Sequence, residues 1–252
     1  MSSYLHLGRL HLPVFGLFAA AGIVAAMALS QKTSRMVDLD PSAVWDLGMV
    51  TVFSAYAISR VLLVATSFHT FLQYPLLVLE LRSLTGTGIA LTALVSVAYL
   101  RYRRLKVLPL LDALAPCAAL LWAFMSAGWV VNGTREGMPS NMPWAIGSGY
   151  GRIHPVEAYR LVVASAVCGG LLLFLRQRPR TGAVACRGLL LGGLSLVLID
   201  FFRLPDELFI PAWLDRVQWA GVAMMVLGVA VRIVQLWTPM SSRVGMGPSD
   251  AI

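Results

Sequence analysis

Two ionisable side chains three residues apart, Asp200 and Arg203, stand at the end of a long apolar run. Residues at this spacing share one face of a helix and can form an ion pair. Two interpretations remain open: a structural pair that anchors the helix end, or an anion site in which the planar guanidinium group of Arg203 binds a phosphate. Arg60 lies inside another apolar run, where it either pairs with a carboxylate or reaches a phosphate from within the protein.

A second set of polar residues lies in the stretch 132–157, which is rich in Gly, Pro and Asn and contains Asn132, Arg152 and His154. Long connections of this kind often carry function. Histidine is the side chain best suited to proton transfer near neutral pH, so His154 is a candidate base. The alternative is a structural role for a single loop histidine, and the same choice applies to His69.

The amino-acid composition indicates which kind of secondary structure holds these residues. Of the 252 residues, 58% are apolar and 13% are charged, and the mean hydropathy is +0.75. Soluble domains carry about 25% charge, so this composition excludes a soluble globular enzyme, a disordered chain and a fibrous repeat. Uncharged apolar runs of about 20 residues predict an all-α, polytopic membrane helix bundle. The seven predicted spans are 12–30, 44–65, 84–100, 110–131, 158–175, 184–202 and 217–237.

Lys and Arg residues predict the orientation of this bundle. The basic segments RYRRLK (101–106) and RQRPR (176–180) fall on the same side, and that side holds about twice as many Lys and Arg residues as the other. Cytoplasmic loops favour these residues, so we expect the N-terminus outside and the C-terminus in the cytoplasm. The same bias accounts for the net charge of +8 without a nucleic-acid partner.

Composition also assigns the remaining segments. We expect one transmembrane domain over residues 1–240 and a flexible cytoplasmic tail over 241–252. The segment 66–82 is either an interfacial helix or a re-entrant piece, and Pro75, Glu80 and Arg82, which interrupt it, favour the interfacial helix. Tryptophans near the span ends, including Trp122 and Trp129, indicate an aromatic belt. The three cysteines stand at no metal-ligand spacing, and we expect neither a metal nor a cofactor.

Several segments carry short motifs in a fixed order. They are LPVFGLFAAAG, SRVLLV, GWVVNGTREGMPSNMPWAI, RIHPVEAY, RPRTGAV and IDFFRLPDE. In this order and spacing they resemble the prolipoprotein diacylglyceryl transferase family of bacterial inner membranes. SRVLLV is similar to the family's Gly-Arg-Ile motif with Arg60 retained, RIHPVEAY to Arg-His-Pro-Ser-Gln-Leu-Tyr, and IDFFRLPDE to Glu-Phe-Phe-Arg-Gln-Pro-Asp. The resemblance covers most of the chain.

The same match contains departures from the family's motifs. Each departure stands where the family has a polar or ionisable residue. The positions are Phe15 (tyrosine in the family), Thr85 (histidine), Ser126 and Leu196 (both arginine), Trp129 (asparagine), Thr134 (glutamate) and Asp200 (glutamate). The resemblance therefore retains the scaffold and changes much of the polar site.

The resemblance implies an activity, a location and a site. The family moves a diacylglyceryl group from phosphatidylglycerol, an anionic phospholipid, to the cysteine thiol of a lipoprotein precursor, as a multi-pass protein of the bacterial inner membrane. Cations would hold the phosphate, and a base would take the thiol proton. The alternative is a catalytically degenerate homologue that binds a lipid or a lipoprotein. The residues expected to bind substrate are Arg60, Asn132, Gly137, Arg152, Tyr159 and Arg203, and the candidate catalytic residues are His154 and Asp200.

Overall fold

The structure is a computed structural model that describes residues 4–7, 10–66, 85–133, 137–148, 151–204 and 215–237. Within these ranges the chain forms the helices α1 (Val14–Met36), α2 (Pro41–Thr66), α3 (Gly86–Tyr102), α4 (Val107–Asn132), α5 (Val156–Arg176), α6 (Ala183–Asp200) and α7 (Arg216–Trp237). Two short antiparallel strand pairs join β1 (Tyr4–Leu7) to β2 (Leu10–Pro13) and β3 (Ile146–Ser148) to β4 (Gly151–Ile153). The predicted tail 241–252, His69 and almost all of the predicted interfacial segment 66–82 lie outside the described residues.

The prediction of an all-α membrane bundle is confirmed. Six helices of the described ranges, all but α3, are long and apolar enough to cross a membrane. The helix α3 has 17 residues and coincides with the third predicted span. The protein is a multi-pass membrane protein, and the side on which each terminus lies stays a prediction.

The helix α1 continues beyond residue 30, where the apolar run ends, to Met36. Its last turns contain hydroxyl side chains that bond back to the helix itself: Ser30 donates to the carbonyl of Met27 at 2.7 Å, and Ser34 donates to that of Gln31 at 3.1 Å. Both serines are buried. A hydroxyl satisfied by a carbonyl three or four residues back does not end a helix, so hydropathy alone placed this end too early.

The helix α2 begins at Pro41, three residues before the predicted span, because Asp40 caps it. The Asp40 carboxylate accepts hydrogen bonds from the hydroxyl of Ser42 at 2.7 Å and from its backbone N–H at 3.0 Å. These bonds, led by that of the hydroxyl, lower the pKa of the Asp40 carboxyl group. Proline suits the first helical position because its missing N–H would have no partner there.

The bundle is built around α4, which packs against α1, α5 and α6, while α7 packs against α6 and α2 packs against α3. Glycines allow the close approaches. A Cβ atom at Gly128 would lie 2.9 Å from Cβ of Phe18, and one at Gly221 would lie 2.7 Å from the carbonyl oxygen of Gly193. Small residues bring membrane helices together in this way, since lipid supplies no hydrophobic force between them.

A buried carboxylate holds the first turn of α6. Asp112 of α4 accepts hydrogen bonds from the backbone N–H groups of Gly182 and of Ala185, the latter at 2.8 Å. The first N–H groups of a helix have no partner within it and carry partial positive charge, so a carboxylate there both caps and stabilises the helix. The other end of α6 carries Asp200.

The loop between α4 and α5 is fastened to the end of α6. The backbone N–H of Met138 donates to the carbonyl of Phe202 at 2.9 Å, and Gly137 forms a bridge with Arg203. The N–H of His154 donates to the carbonyl of Met138 at 2.9 Å. A Cβ atom at Gly137 would overlap the carbonyl group of His154, so glycine is required at this crossing.

Candidate functional site

A cavity of ≈ 320 Å³ lies where α4 and α6 end and where α5 and α7 begin. One face of α4 forms a wall of it, because its lining residues follow the helical spacing i, i+3, i+4, i+7. The described residues that line the cavity are Trp122, Met125, Ser126, Trp129, Glu157, Arg160, Leu196, Arg203 and Val217. The site is thus shared by four helices.

Ion pairs connect three of these helices beside the cavity. On α5, Arg160 bonds to Glu157 at 2.5 Å, and its other terminal nitrogen lies 3.7 Å from Oδ1 of Asp200. Arg203 lies 3.9 Å from the same Asp200 oxygen and 3.7 Å from Oδ2 of Asp215, which precedes α7. The predicted Asp200–Arg203 contact is therefore present, as part of a larger network.

The network is largely withdrawn from solvent. The side chain of Asp200 is 3% exposed, that of Arg160 is 15% exposed and that of Arg203 is 16% exposed. Charges in such a place interact more strongly than at a wet surface, and each depends on its partners to offset lost hydration. The guanidinium groups of Arg160 and Arg203 are the cations that the described part of this cavity presents to a ligand.

A second cluster packs beside this network. The indole N–H of Trp144 donates to the hydroxyl oxygen of Tyr159 at 2.7 Å, and that oxygen lies 3.1 Å from Nδ1 of His154. Phe202 packs against both the His154 ring, at 5.0 Å between centroids, and the Tyr159 ring, at 5.8 Å. Since Phe202 directly precedes Arg203 in the chain, the two clusters adjoin.

The predicted substrate-binding residues occupy different places. Arg203 lines the cavity, and Gly137 reaches it through the backbone bridge to Arg203. Arg152 donates to the carbonyl of Pro143 at 2.9 Å and so braces its own loop. Asn132 is the last residue of α4 and is half-buried.

Arg60 is buried in α2, and its guanidinium carbon lies 5.0 Å from the centre of the Tyr56 ring. It is not among the described residues that line the cavity. The structure thus brings Asp200, Arg203 and Gly137 together at one site and sets His154 and Tyr159 beside it. Arg60 and Arg152 are not among the described residues that line the cavity.

The predicted substrate-binding and catalytic residues include neither Arg160 nor Glu157, although both are ionisable residues at or beside an apolar run. The signal was present, since the two residues stand three apart at the start of an apolar run, as Asp200 and Arg203 do at the end of another. The aromatic belt stays a prediction for Trp122 and Trp129, but the structure gives both residues a further place, because they line the cavity. The prediction of an aromatic belt uses only the distance of a tryptophan from the end of its span. The spacing of Trp122, Ser126 and Trp129 along the chain shows in addition that all three lie on one face of the helix.

The departures from the family's motifs gather at the same cavity. Ser126, Trp129 and Leu196 line it, and Phe15 stacks on Trp129 with 4.2 Å between ring centroids. Thr85 instead caps α3 by accepting a hydrogen bond from the N–H of Gly88 at 3.2 Å. Among the changed residues that the structure describes, all but Thr85 therefore lie at or beside one shared site.

Comparison with known proteins agrees with the resemblance. A sequence model of the prolipoprotein diacylglyceryl transferase family matches residues 2–234. A phosphatidylglycerol–prolipoprotein diacylglyceryl transferase of Synechococcus elongatus is 24% identical over 245 residues, covering 88% of this chain and 83% of that protein. Proteins of the same name are 26% identical in Citrobacter koseri, with 94% and 96% covered, and 23% identical in Finegoldia magna, with 87% and 89% covered. The chain belongs to the prolipoprotein diacylglyceryl transferase family.

Proposed function

We propose that this chain transfers a diacylglyceryl group from a phospholipid to the cysteine thiol of a lipoprotein precursor, at the cavity between α4, α5, α6 and α7. The relatives' names give phosphatidylglycerol as the donor and a prolipoprotein as the acceptor. The observation that carries the proposal is the pair of guanidinium groups, Arg160 and Arg203, beside a cavity at the helix ends. The family setting favours the bacterial inner membrane as the location.

The reaction needs stabilisation of negative charge. The thiol sulfur attacks the glycerol carbon, a C–S bond forms, and the C–O bond to the phosphate breaks, so that a phosphomonoester leaves. Donors fixed where this charge develops are worth several kcal/mol. Arg160 and Arg203 would bind the phosphate and stabilise the leaving group, while Asp200, which contacts both, would be the positioning residue for them.

The reaction also needs a base, because the thiolate is the nucleophile and a free thiol ionises only near pH 8.5. His154 is the proposed base. To accept the thiol proton, its Nε2 must be unprotonated, and its Nδ1–H then donates to the oxygen of Tyr159. That oxygen has two lone pairs, which suit this N–H and the indole N–H of Trp144. Tyr159 would thereby orient the imidazole ring.

The remaining predicted residues keep narrower roles in the proposal. Gly137 would hold the loop against Arg203, Arg152 would keep that loop in shape, and Asn132 would close the end of α4. Arg60 would bind substrate only from another part of the bundle, since it does not line the cavity in the described ranges. These roles remain predictions.

One observation favours a second candidate function. Ser126 and Leu196 put no charge into the cavity at positions where the resemblance implies arginine. Losing catalytic cations usually costs orders of magnitude in rate. The second candidate is therefore a catalytically degenerate homologue that binds a lipid or a lipoprotein without transferring a group.

Complementation separates these two candidates. We expect expression of this chain in a bacterium depleted of its own transferase to restore lipoprotein modification, since its membrane supplies several phospholipids. Arg203→Ala should lower the modification at least about 100-fold through loss of a charge-stabilising donor. Arg187→Ala is the matched control, because Arg187 lies at the other end of α6 and stacks on Phe174. Unmodified lipoproteins, with the protein present in the membrane at a normal level, would support the second candidate.

A further inference from the structure

We infer that the outer edge of strand β3 binds the acceptor polypeptide, by pairing with an extended, apolar segment of it close to the reacting cysteine. The inference rests on the proposed function, in which a cysteine thiol must reach His154. Three features carry it: a backbone edge open at Gly147, apolar side chains around that edge, and hydrogen bonds that connect the start of β3 to His154.

The strand β3 is the last member of a small antiparallel arrangement. The end of α6 pairs with the segment 137–140, that segment pairs with β4, and β4 pairs with β3. In the described part of the chain, no further strand pairs with β3. An edge strand offers its unpaired backbone groups to another chain.

The hydrogen bonds of β4 show which backbone groups of β3 face outward. The carbonyl of Arg152 accepts a hydrogen bond from the N–H of Ser140 at 2.8 Å, so the backbone groups of Arg152 point away from β3. Gly147 is the partner of Arg152 in the register, and its own N–H and C=O therefore point to the outer edge. Neither group has a backbone partner within the described ranges.

The space beside Gly147 is open. The residue is exposed, and a Cβ atom placed on it would meet no atom within 4 Å. Proteins usually protect an edge strand with a charge, a proline, a bulge or a covering loop, whereas β3 has the sequence IGS. The edge therefore has the form of those that bind a peptide as an additional strand.

Apolar side chains surround this edge. Ile146 of β3 is 43% exposed, and Met142 and Trp144, which precede β3, are 47% and 58% exposed. When a peptide adds a strand to a sheet, main-chain hydrogen bonds give affinity and side-chain contacts give specificity. These side chains would therefore select apolar residues in the peptide.

The backbone edge decides between two occupants of this surface. Acyl chains of the membrane could cover the apolar side chains, but they offer no partner to the N–H and C=O of Gly147, and unsatisfied backbone groups in hydrocarbon are costly. A polypeptide supplies a carbonyl for the N–H and an N–H for the carbonyl. The edge therefore favours an extended peptide.

The position of the edge suits the acceptor cysteine. The indole of Trp144 donates to the hydroxyl oxygen of Tyr159, which lies 3.1 Å from Nδ1 of His154. A strand added to β3 would lie two strand spacings, about 10 Å, from β4, which directly precedes His154. An extended chain covers this distance in about three residues. A peptide that pairs at Gly147 and then turns across the end of the strands would bring its cysteine to His154.

Peptide binding to the purified full-length chain in nanodiscs tests the inference without the transfer step. The probe is a short fluorescent peptide from around the cysteine of a lipoprotein precursor, with serine in place of the cysteine. Fluorescence anisotropy would give its Kd, with empty nanodiscs as the background. We expect Gly147→Pro to raise this Kd at least about tenfold, because proline removes the N–H and its ring occupies the place of the added strand.

Gly147→Ala is the matched control. Alanine keeps the N–H, and its Cβ atom would meet no atom within 4 Å, so the Kd should stay within about twofold of the wild-type value. The fold should accept the proline, because the N–H of Gly147 points away from β4 and proline is tolerated on edge strands.

N-methylation of the peptide tests the same pairing without any change to the protein. A methyl group on the residue that pairs with Gly147, about three residues from the serine, removes the N–H that the carbonyl of Gly147 accepts. We expect it to raise the Kd at least about tenfold, since it also blocks the close approach of the two strands. A methyl group on the next residue, whose N–H points away from β3, should leave the Kd unchanged.

Three results would overturn the inference: no binding of the peptide by the wild-type chain, equal Kd values for Gly147→Pro and Gly147→Ala, or a Kd that no single N-methyl group raises. The last two, with binding intact, would assign the apolar side chains to the membrane surface. The proposed function fails separately, if the corresponding cysteine peptide binds and stays unmodified in nanodiscs that contain the donor lipid.

Discussion

Asp200 is the residue on which the charged site depends most directly. Its side chain is 3% exposed and lies within 4 Å of both Arg160 and Arg203. Removing one charged group from a buried ionic network leaves the remaining charges buried without an opposite charge. The resulting loss of stability is larger than the net stabilisation that the intact network provides. Asp200 therefore links the stability of the bundle to the arrangement of its cations.

We expect Asp200→Asn to lower the free energy of unfolding by about 3 kcal/mol, because two guanidinium groups lose a charged partner. Thermal unfolding in detergent would measure the change. Asp46→Asn is the control, since Asp46 is 50% exposed in its pair with Arg103 and such pairs contribute about 1 kcal/mol or less. Equal effects of the two substitutions would contradict the account.

Tyr159 should act through His154 rather than on the substrate. Tyr159→Phe removes the oxygen that meets both Nδ1 of His154 and the indole of Trp144. We expect the transfer rate to fall about tenfold, against at least about 100-fold for His154→Gln, since a general base contributes two orders of magnitude or more. Steady-state rates with a thiol peptide would show the order, and the reverse order would exclude His154 as the base.

At the residue scale, sequence reasoning found part of the site. The spacing of Asp200 and Arg203 predicted their contact because both belong to one helix end. Arg160 reaches Asp200 from another helix, and Asp215 reaches Arg203 across the residues between α6 and α7. Such contacts depend on how the helices pack against one another. The spacing of residues within one helix gives no information about that packing.

The helix α6 is held at both ends, and its position sets that of Asp200. Its first turn is capped by Asp112, and its last turn joins the ion network. We expect Asp112→Ala to cost about 2 kcal/mol, since it removes a helix cap together with a favourable charge at the N-terminus. Thermal unfolding in detergent would measure it, and Asp46→Ala should cost less.

The contact between α6 and α7 requires small residues. A Cβ atom at Gly221 would lie 2.7 Å from the carbonyl oxygen of Gly193, whereas one at Gly170 would meet no atom within 4 Å. We expect Gly221→Ala to destabilise the protein by about 2 kcal/mol through overpacking. Gly170→Ala should be neutral or stabilising by about 0.5 kcal/mol, as in an open helix position. Similar midpoints of unfolding for the two variants would argue against this packing.

At the element scale, hydropathy predicted every described helix but not every boundary. The helix α1 runs to Met36 because Ser30, Thr33 and Ser34 satisfy their hydroxyl groups on the helix backbone. The two strand pairs were not predicted, since four-residue and three-residue strands carry too few residues to show an alternating pattern.

At the scale of the whole molecule, the alternating path of the helices brings the end of α4, the start of α5, the end of α6 and the start of α7 together. Composition predicted the number and order of spans. Which faces meet depends on side-chain shape, such as the glycines that bring α6 to α7. The cavity, which needs four helices at once, could therefore not be located from the sequence.

The predicted orientation places this cavity on the outer side and the C-terminus in the cytoplasm. We expect a C-terminal fusion to green fluorescent protein to fluoresce and a C-terminal fusion to alkaline phosphatase to be inactive, because Lys and Arg favour the cytoplasmic side. Whole-cell assays of the two fusions would decide. An active phosphatase fusion would reverse the orientation and move the cavity to the inner leaflet.

The most direct test of the account is transfer by the purified full-length chain. The protein would be placed in nanodiscs that contain phosphatidylglycerol and phosphatidylethanolamine, with a lipoprotein-precursor peptide that has one cysteine, and the peptide mass would be followed. We predict a gain of one diacylglyceryl group at the cysteine and release of a phosphomonoester, at least about 100-fold slower in Arg203→Ala. An unmodified peptide, under conditions in which the Citrobacter koseri relative modifies it, would contradict the central claim.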